Sequence, residues 1–281
     1  MSEKILYLVA TPIGNLDDMT FRAVKILNEV DLIAAEDTRR TRKLLTHFDI
    51  HKPMIHYDEN NKDIVGSKII ERIKNGENVA CVSDAGLPAI SDPGADLVKL
   101  AIESNIKVVP IPGANAALSA LICSGLDTTS FTFIGFLPKT NKRRNEVLNR
   151  LKSCKDTLIF YESPHHLKST LKFLLDIFGN RKAVIARELT KIHEEFLRDD
   201  LNNLINQLED DKLLGEFVIV IAGADEGDLN TVNNSEEDLS DIYKKLISEG
   251  LDKKSAMRET AKRLNVSRRE VYNAVLNFDD N

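Results

Sequence analysis

The sequence predicts an α/β protein made of two α/β domains followed by a small helical tail. Three observations lead there. Short apolar runs of strand length alternate with amphipathic stretches of helix length from Ile5 to Ile111. A second set of strand-like runs begins near Ser130. After residue 223 the chain turns acidic and polar, "ADEGDLNTVNNSEED", and then becomes helical in pattern. The expected organisation is an N-terminal parallel α/β domain (1–125), a second α/β domain (130–223), a linker (224–238) and a helical tail (239–281). At 281 residues the chain is near the size at which single cores divide.

The first domain should hold strands at Ile5–Ala10, Leu32–Ala35, Met54–His56, Val79–Val82 and Lys107–Ile111. Between them, "FRAVKILNEV" places Ala23, Val24, Leu27 and Val30 on one helical face. "IVGSKIIERIKNG" repeats Ile69, Ile70 and Ile73 and offers Gly76 as a C-terminal stop. "GADLVKLAIESN" and "ANAALSALICSG" supply two more helices. Strand–helix alternation implies a parallel sheet with right-handed crossovers. In the second domain "FTFIGF", "TLIFYE", "AVIARE" and "FVIVIA" read as strands, with their pairing order left open. The helical stretches between are "KRRNEVLNRLKSC", "HHLKSTLKFLLDIFG" and "LNNLINQLED". In the tail one helix should end near Leu264, and Ser267 with Glu270 forms a capping box for another.

Composition excludes several classes. The 42% hydrophobic and 29% charged content is ordinary for globular proteins. No run approaches the ~18 apolar residues of a membrane span, and the N-terminal apolar run is too short for a secretory leader. The cysteines Cys81, Cys123 and Cys154 contain no CxxC pair, and Cys81 and Cys123 sit in apolar runs that predict buried free thiols. A soluble cytoplasmic protein without membrane contact is expected. No GxGxxG follows the first strand, and there is no GxxxxGK[ST] loop and no GxSxG elbow. The six histidines lack zinc spacing, and Asp84 and Asp92 suit turn capping better than a metal, so no metal is expected.

The loops carry the functional signal. In a parallel sheet all carboxyl ends share one edge, where ligands of open α/β sheets bind. The segments after the five strands are "TPIGN", "EDTRRT", "YDEN", "SDAGLPAISDPG" and "PGAN", all rich in polar residues, Pro or Gly. The opposite loops, "NGEN" and "ESNI", are short and plain. A site at the carboxyl edge is therefore expected. Basic residues cluster although the net charge is −6. Four lie in Arg39–Lys43, seven against one acid in Lys139–Lys155, and nine against three acids in Lys244–Arg269. Such local patches suit a polyanion partner.

These motifs resemble the tetrapyrrole methylase superfamily. "LYLVATPIGNLDDMTFRAVKIL" is similar to its opening signature. "AAEDTRRTRKLL", "VSDAGLPAISDPG", "PGANAALSAL", "GFLP", "FYESPHHL" and "ARELTKIHEEF" follow in order and are similar to its ribosomal RNA branch. That branch methylates a cytidine ribose 2′-hydroxyl of small-subunit ribosomal RNA. The resemblance covers nearly the whole chain. It implies two α/β domains with S-adenosylmethionine in the cleft between them, a homodimer, and small-subunit RNA as partner. By motif it assigns cofactor binding to Pro12, Asp84, Leu87, Asn115, Ala116 and Tyr161. Where the superfamily often has Gly-Asp-Pro this chain has Ser83-Asp84-Ala85, so loop geometry should differ while Asp84 is retained.

Methylating a ribose hydroxyl requires in-line alignment and a proton acceptor. Glu36 and Asp37 at the end of the second strand are the candidate bases, with Glu162 a third. Asp37 equally suits an N-cap or a pair with Arg39. Arg39, Arg40, Lys142, Arg143 and Arg144 would hold RNA phosphates. Two rivals remain at this stage. One is a tetrapyrrole C-methyltransferase on the same scaffold. The other is a DNA-binding regulator, because "SAMRETAKRLNVSRREVYNAVL" resembles a helix-turn-helix.

Overall fold

The computed structural model describes residues 4–208, 215–225, 241–263, 271–272 and 275, the Lys262 side chain excepted. The first sheet holds β1 (Ile5–Val9), β2 (Leu32–Ala35), β3 (Met54–His56), β4 (Val79–Val82) and β5 (Lys107–Ile111). Its order is β3-β2-β4-β1-β5 and every pairing is parallel. β2 and β4 are buried at every position, as strands covered on both faces must be. One face packs on α3 (Lys62–Lys74) and α4 (Gly94–Glu103) through Ile69, Ile73 and Leu97. The other packs on α1 (Phe21–Glu29) and α2 (Thr38–His47) through Ala23, Leu27 and Leu45. The expected α1 face is seen in the burial of Ala23, Leu27 and Val30, and Gly76 (φ +106°) follows the end of α3.

The second sheet holds β6 (Phe131–Phe136), β7 (Thr157–Glu162), β8 (Lys182–Arg187), β9 (Glu195–Asp200) and β10 (Phe217–Ile221), in the order β6-β7-β10-β8-β9. It is mixed: β6 and β7 are parallel, and β10 runs antiparallel between β7 and β8. β9 has no counterpart among the expected strands. Its "EFLRDD" is charged because it forms the sheet edge, where side chains stay solvated. Helix α5 (Ala116–Ser124) follows the first sheet in sequence but packs on the second, with Ala117, Ala120 and Leu121 against Ile159, Val184, Val218 and Val220. The remaining helices of this part are α6 (Asn141–Leu151), α7 (Leu167–Phe178) and α8 (Leu201–Gln207).

Both sheets belong to one compact unit, Met1–Leu148 with Asp156–Ala222, and the rest of the chain forms another. In the latter, α9 (residues 241–248) and α10 (Lys253–Arg263) enclose a small core of Tyr243, Leu246 and Ala256. α10 is described to Arg263, the expected stop near Leu264 lies outside the described residues, and Asp252 accepts the Ser255 N–H at 2.6 Å to cap the start of α10. The expected Ser267–Glu270 capping box and nearly all of the 224–238 linker lie outside the described residues.

One cysteine expectation fails. Cys81 is buried, but Cys123 is exposed and Cys154 is intermediate. α5 seats its small residues on the sheet, so Ile122 and Cys123 turn outward although their run is apolar throughout. No described helix is long and apolar enough to cross a membrane.

Candidate functional site

The carboxyl edge of the first sheet opens into a cavity of about 450 Å³, within the range of small-molecule sites. Its position follows from the pinning of the loops. Thr11 and Gly86 exchange two backbone hydrogen bonds, at 2.9 and 3.0 Å, which fastens the loop after β1 to the long loop after β4. Gly86 adopts φ +82°, and a Cβ there would press on the Ala114 carbonyl and Ile13 at 3.3 Å. No larger residue fits without displacing a neighbour.

Farther along the long loop, Ala89 (φ +69°) and Ser91 (φ +65°) take left-handed conformations that cost non-glycine residues free energy. Asp92 holds them: its Oδ1 accepts the Ala89 N–H at 2.9 Å and the Gly94 N–H at 2.7 Å. The loop reaches the second sheet, where a Cβ on Gly135 of β6 would come within 3.0 Å of the Ser91 hydroxyl. The loop rich in Pro, Gly and polar residues is thus an ordered wall.

That wall is acidic. Glu36, Asp84 and Asp92 all line the cavity. Burial first, and then repulsion from Asp84 and Asp92, pushes the Glu36 carboxyl above the ordinary carboxylate range. The Asp84 N–H and Arg40 pull the other way without prevailing. Asp84 is fully engaged: Oδ1 accepts the Asp37 N–H at 3.0 Å and Oδ2 accepts Arg40 Nη1 at 3.1 Å. Burial also raises Asp92, against its backbone donors.

The facing wall comes from the second sheet and combines Phe136, Tyr161, Phe217 and Val218 with the carboxylates Glu162 and Glu216. Tyr161 meets Phe133 and Phe136 edge-on at 5.1 and 5.6 Å between ring centroids. Its hydroxyl accepts the Ala117 N–H at the start of α5, and burial raises its pKa. Asn115 caps the same helix by accepting the Leu118 N–H at 2.8 Å.

Of the residues expected at a cofactor site, Asp84, Leu87, Asn115, Ala116 and Tyr161 line this cavity. Pro12 lines a neighbouring one instead. Glu36 and Glu162 line the main cavity and Asp37 does not. Asp37 caps α2, accepting the Arg39 and Arg40 N–H groups, and the Arg39 side chain holds its carboxyl down at about 2. Glu162 is committed to its surroundings, with Oε1 on the Ser163 N–H at 2.8 Å and Oε2 on the Thr170 hydroxyl at 2.6 Å.

The basic residues separate. Arg40 reaches the cavity, whereas Arg39 is exposed and paired with Asp37 at 3.2 Å. Lys142, Arg143 and Arg144 lie on α6 and line none of the cavities described here. Arg144 stacks on Phe173 at 3.7 Å and donates to Asn141 at 2.6 Å.

Sequence reasoning missed Glu216, Phe217 and Val218. They open β10, whose antiparallel course brings its amino end beside the carboxyl end of β7, pairing Phe217 with Glu162. A search confined to segments after strands could not find them. It also missed Phe136, although "GFLP" marked its position.

Comparison with known proteins agrees with this architecture. The model of the Tetrapyrrole (Corrin/Porphyrin) Methylases matches residues 5–205, and the chain belongs to that family. It is a methyltransferase, and solved structures share its fold. A cobalt precorrin-4 methyltransferase superposes with TM-score 0.59 at 18% identity, covering 78% of this chain and 95% of the other. A diphthine synthase gives TM-score 0.59 at 15% identity over 78% of this chain and 90% of the other. Sequence relatives are much nearer. A protein of Halalkalibacterium halodurans named Ribosomal RNA small subunit methyltransferase I is 50% identical over 95% of this chain and 93% of its own. Its namesakes in Bacillus subtilis (47% identical, 96% of this chain and 93% of the relative) and in Synechocystis (47%, 98% of each) are similar over the same span.

Proposed function

We propose that the chain is an S-adenosylmethionine-dependent methyltransferase that places a methyl group on a cytidine ribose 2′-hydroxyl of 16S ribosomal RNA. The observation that supports this most is a cavity that sets the carboxylates Glu36, Asp84 and Asp92 opposite an aromatic and aliphatic surface that itself carries Glu162 and Glu216. The repulsion that raises Glu36 is the same negative field a sulfonium cation would enter. The apolar side suits an adenosine ring. Asp84, Leu87, Asn115, Ala116 and Tyr161 would hold the cofactor, which supplies an electrophilic methyl when bound.

The chain's own task is then to orient a ribose hydroxyl and take its proton. Glu36 suits the second role best among the three expected carboxylates. Asp37 is spent on a helix cap and is too acidic to accept a proton readily. Both oxygens of Glu162 already accept hydrogen bonds. Glu36 lines the cavity with a pKa raised above the ordinary carboxylate range, closer to the operating pH of a general base. Arg40, held by Asp84 and also lining the cavity, would meet phosphate there.

The reading carries with it a cytoplasmic homodimer acting on small-subunit RNA, expectations that stem from the sequence resemblance. The deciding experiment supplies labelled S-adenosylmethionine and unmethylated small ribosomal subunits, then digests the RNA to nucleosides. Label in 2′-O-methylcytidine is expected. Cofactor binding with unlabelled RNA would overturn the substrate, and a tetrapyrrole absorbance copurifying with the protein would favour the C-methyltransferase reading.

A further inference from the structure

Beside the main cavity lies another of about 300 Å³. Arg40, Ser83 and Asp84 line both, so the two are neighbours. The smaller is lined by Pro12, Leu16 and Leu44 and by Lys43. Apolar side chains beside a cation suit a nucleotide, whose base is hydrophobic in face and whose phosphate is anionic.

The charges of α2 sharpen the point. Arg39 is paired with Asp37 and Arg40 with Asp84. Arg42 and Lys43 form no ion pair among the described residues, so their charge is available to a partner. They serve different sides of the helix. Lys43 lines the cavity just described, while Arg42 lines a shallow one of about 670 Å³ with His51, Lys52 and His56. From residue 38 to 56 the only acid is Asp49.

We infer that the smaller cavity is a subsite for the nucleotide next to the methylated one, its base over Leu16 and Pro12 and its phosphate on Lys43. The inference rests on RNA being the substrate. It adds Lys43 and Leu16 as RNA-positioning residues outside the cofactor cavity.

The test measures methylation of unmethylated small subunits as RNA concentration and salt are varied, with cofactor affinity measured separately. Lys43→Ala is expected to raise the KM for RNA several-fold. It should flatten the dependence of log KM on log salt by about 0.7, the loss of one single-strand phosphate contact. The kcat at saturating RNA and the Kd for cofactor should hold, and Lys43→Arg should restore both KM and slope. Leu16→Trp, which fills the cavity, is expected to raise the RNA KM with cofactor affinity intact. An unchanged KM and slope in Lys43→Ala, or an unchanged KM in Leu16→Trp, overturns the subsite while RNA methylation by the wild type stands. A wild type that binds cofactor and labels no RNA removes the functional reading, and the subsite with it.

Discussion

The two walls of the cavity are made by different means. The first sheet is wholly parallel and contributes loops: backbone bridges, a capped helix start and three carboxylates. The second is mixed and contributes strand ends bearing aromatic and aliphatic side chains. A parallel edge gathers polar loops because every strand ends there. An antiparallel insertion adds a strand's start, and its apolar residues come with it. The first sheet's loops thus hold the carboxylate cluster around Glu36, and the second sheet holds the aromatic surface together with Glu162 and Glu216, so each wall can be perturbed alone.

The largest effect should come from the acidic wall. Glu36→Gln is expected to lower kcat by about 10²–10⁴-fold, the usual contribution of a general base, while cofactor affinity stays near wild type. The pH profile gives an independent check. A base must be ionised, so the wild-type rate should fall as pH drops through a Glu36 pKa displaced upward by burial. That acid limb should vanish in the variant. An unchanged limb would assign it to another group.

Asp84→Asn comes next. It weakens the hold on Arg40 and on the Asp37 N–H together. Misplacement of about 1 Å can cost about 10²-fold in rate, and a fall of that order in kcat/KM is expected. Wild-type kinetics would mean that the loop is held without this carboxylate.

The apolar wall should respond differently. Phe136→Ala removes a ring that contacts Tyr161. Such a contact contributes about 0.5–1.5 kcal/mol, so the Kd for cofactor should rise by up to roughly ten-fold with kcat held. A fall in kcat with unchanged Kd would erase the division between the walls. The smallest effect belongs to Asp37→Asn. Asparagine caps as well as aspartate, and turnover within about two-fold of wild type is expected, as befits a cap rather than a base. A large loss of turnover would return Asp37 to the chemistry.

Much of this was legible in the sequence, for a physical reason. Strands β2, β3, β4 and β5 match their expected bounds: β2 and β4 are buried throughout and read as continuous apolar runs, and the short edge strands β3 and β5 are bounded by turn residues and helical patterns. Asp84, Leu87, Asn115 and Ala116 could be placed at the cavity because the family resemblance assigned them, and its motifs fall on the loops after β4 and β5. β9 was hidden by the charges an edge strand needs, and Phe217 and Val218 by a strand direction that composition does not encode. Asp37 fitted both cap and base. Only the 2.8 Å contact from the Arg39 N–H to its Oδ1 separates the two roles.

Asp84 deserves to be seen as a joint. One oxygen steadies the start of α2 and the other a guanidinium on that helix, while the residue itself borders the cavity. A ligand that shifts this carboxylate therefore shifts the footing of the basic helix. By thermodynamic reciprocity, whatever factor a cofactor imposes on the helix's affinity for a polyanion, the polyanion imposes on the cofactor. A change at this joint that alters the coupling is felt equally in both affinities.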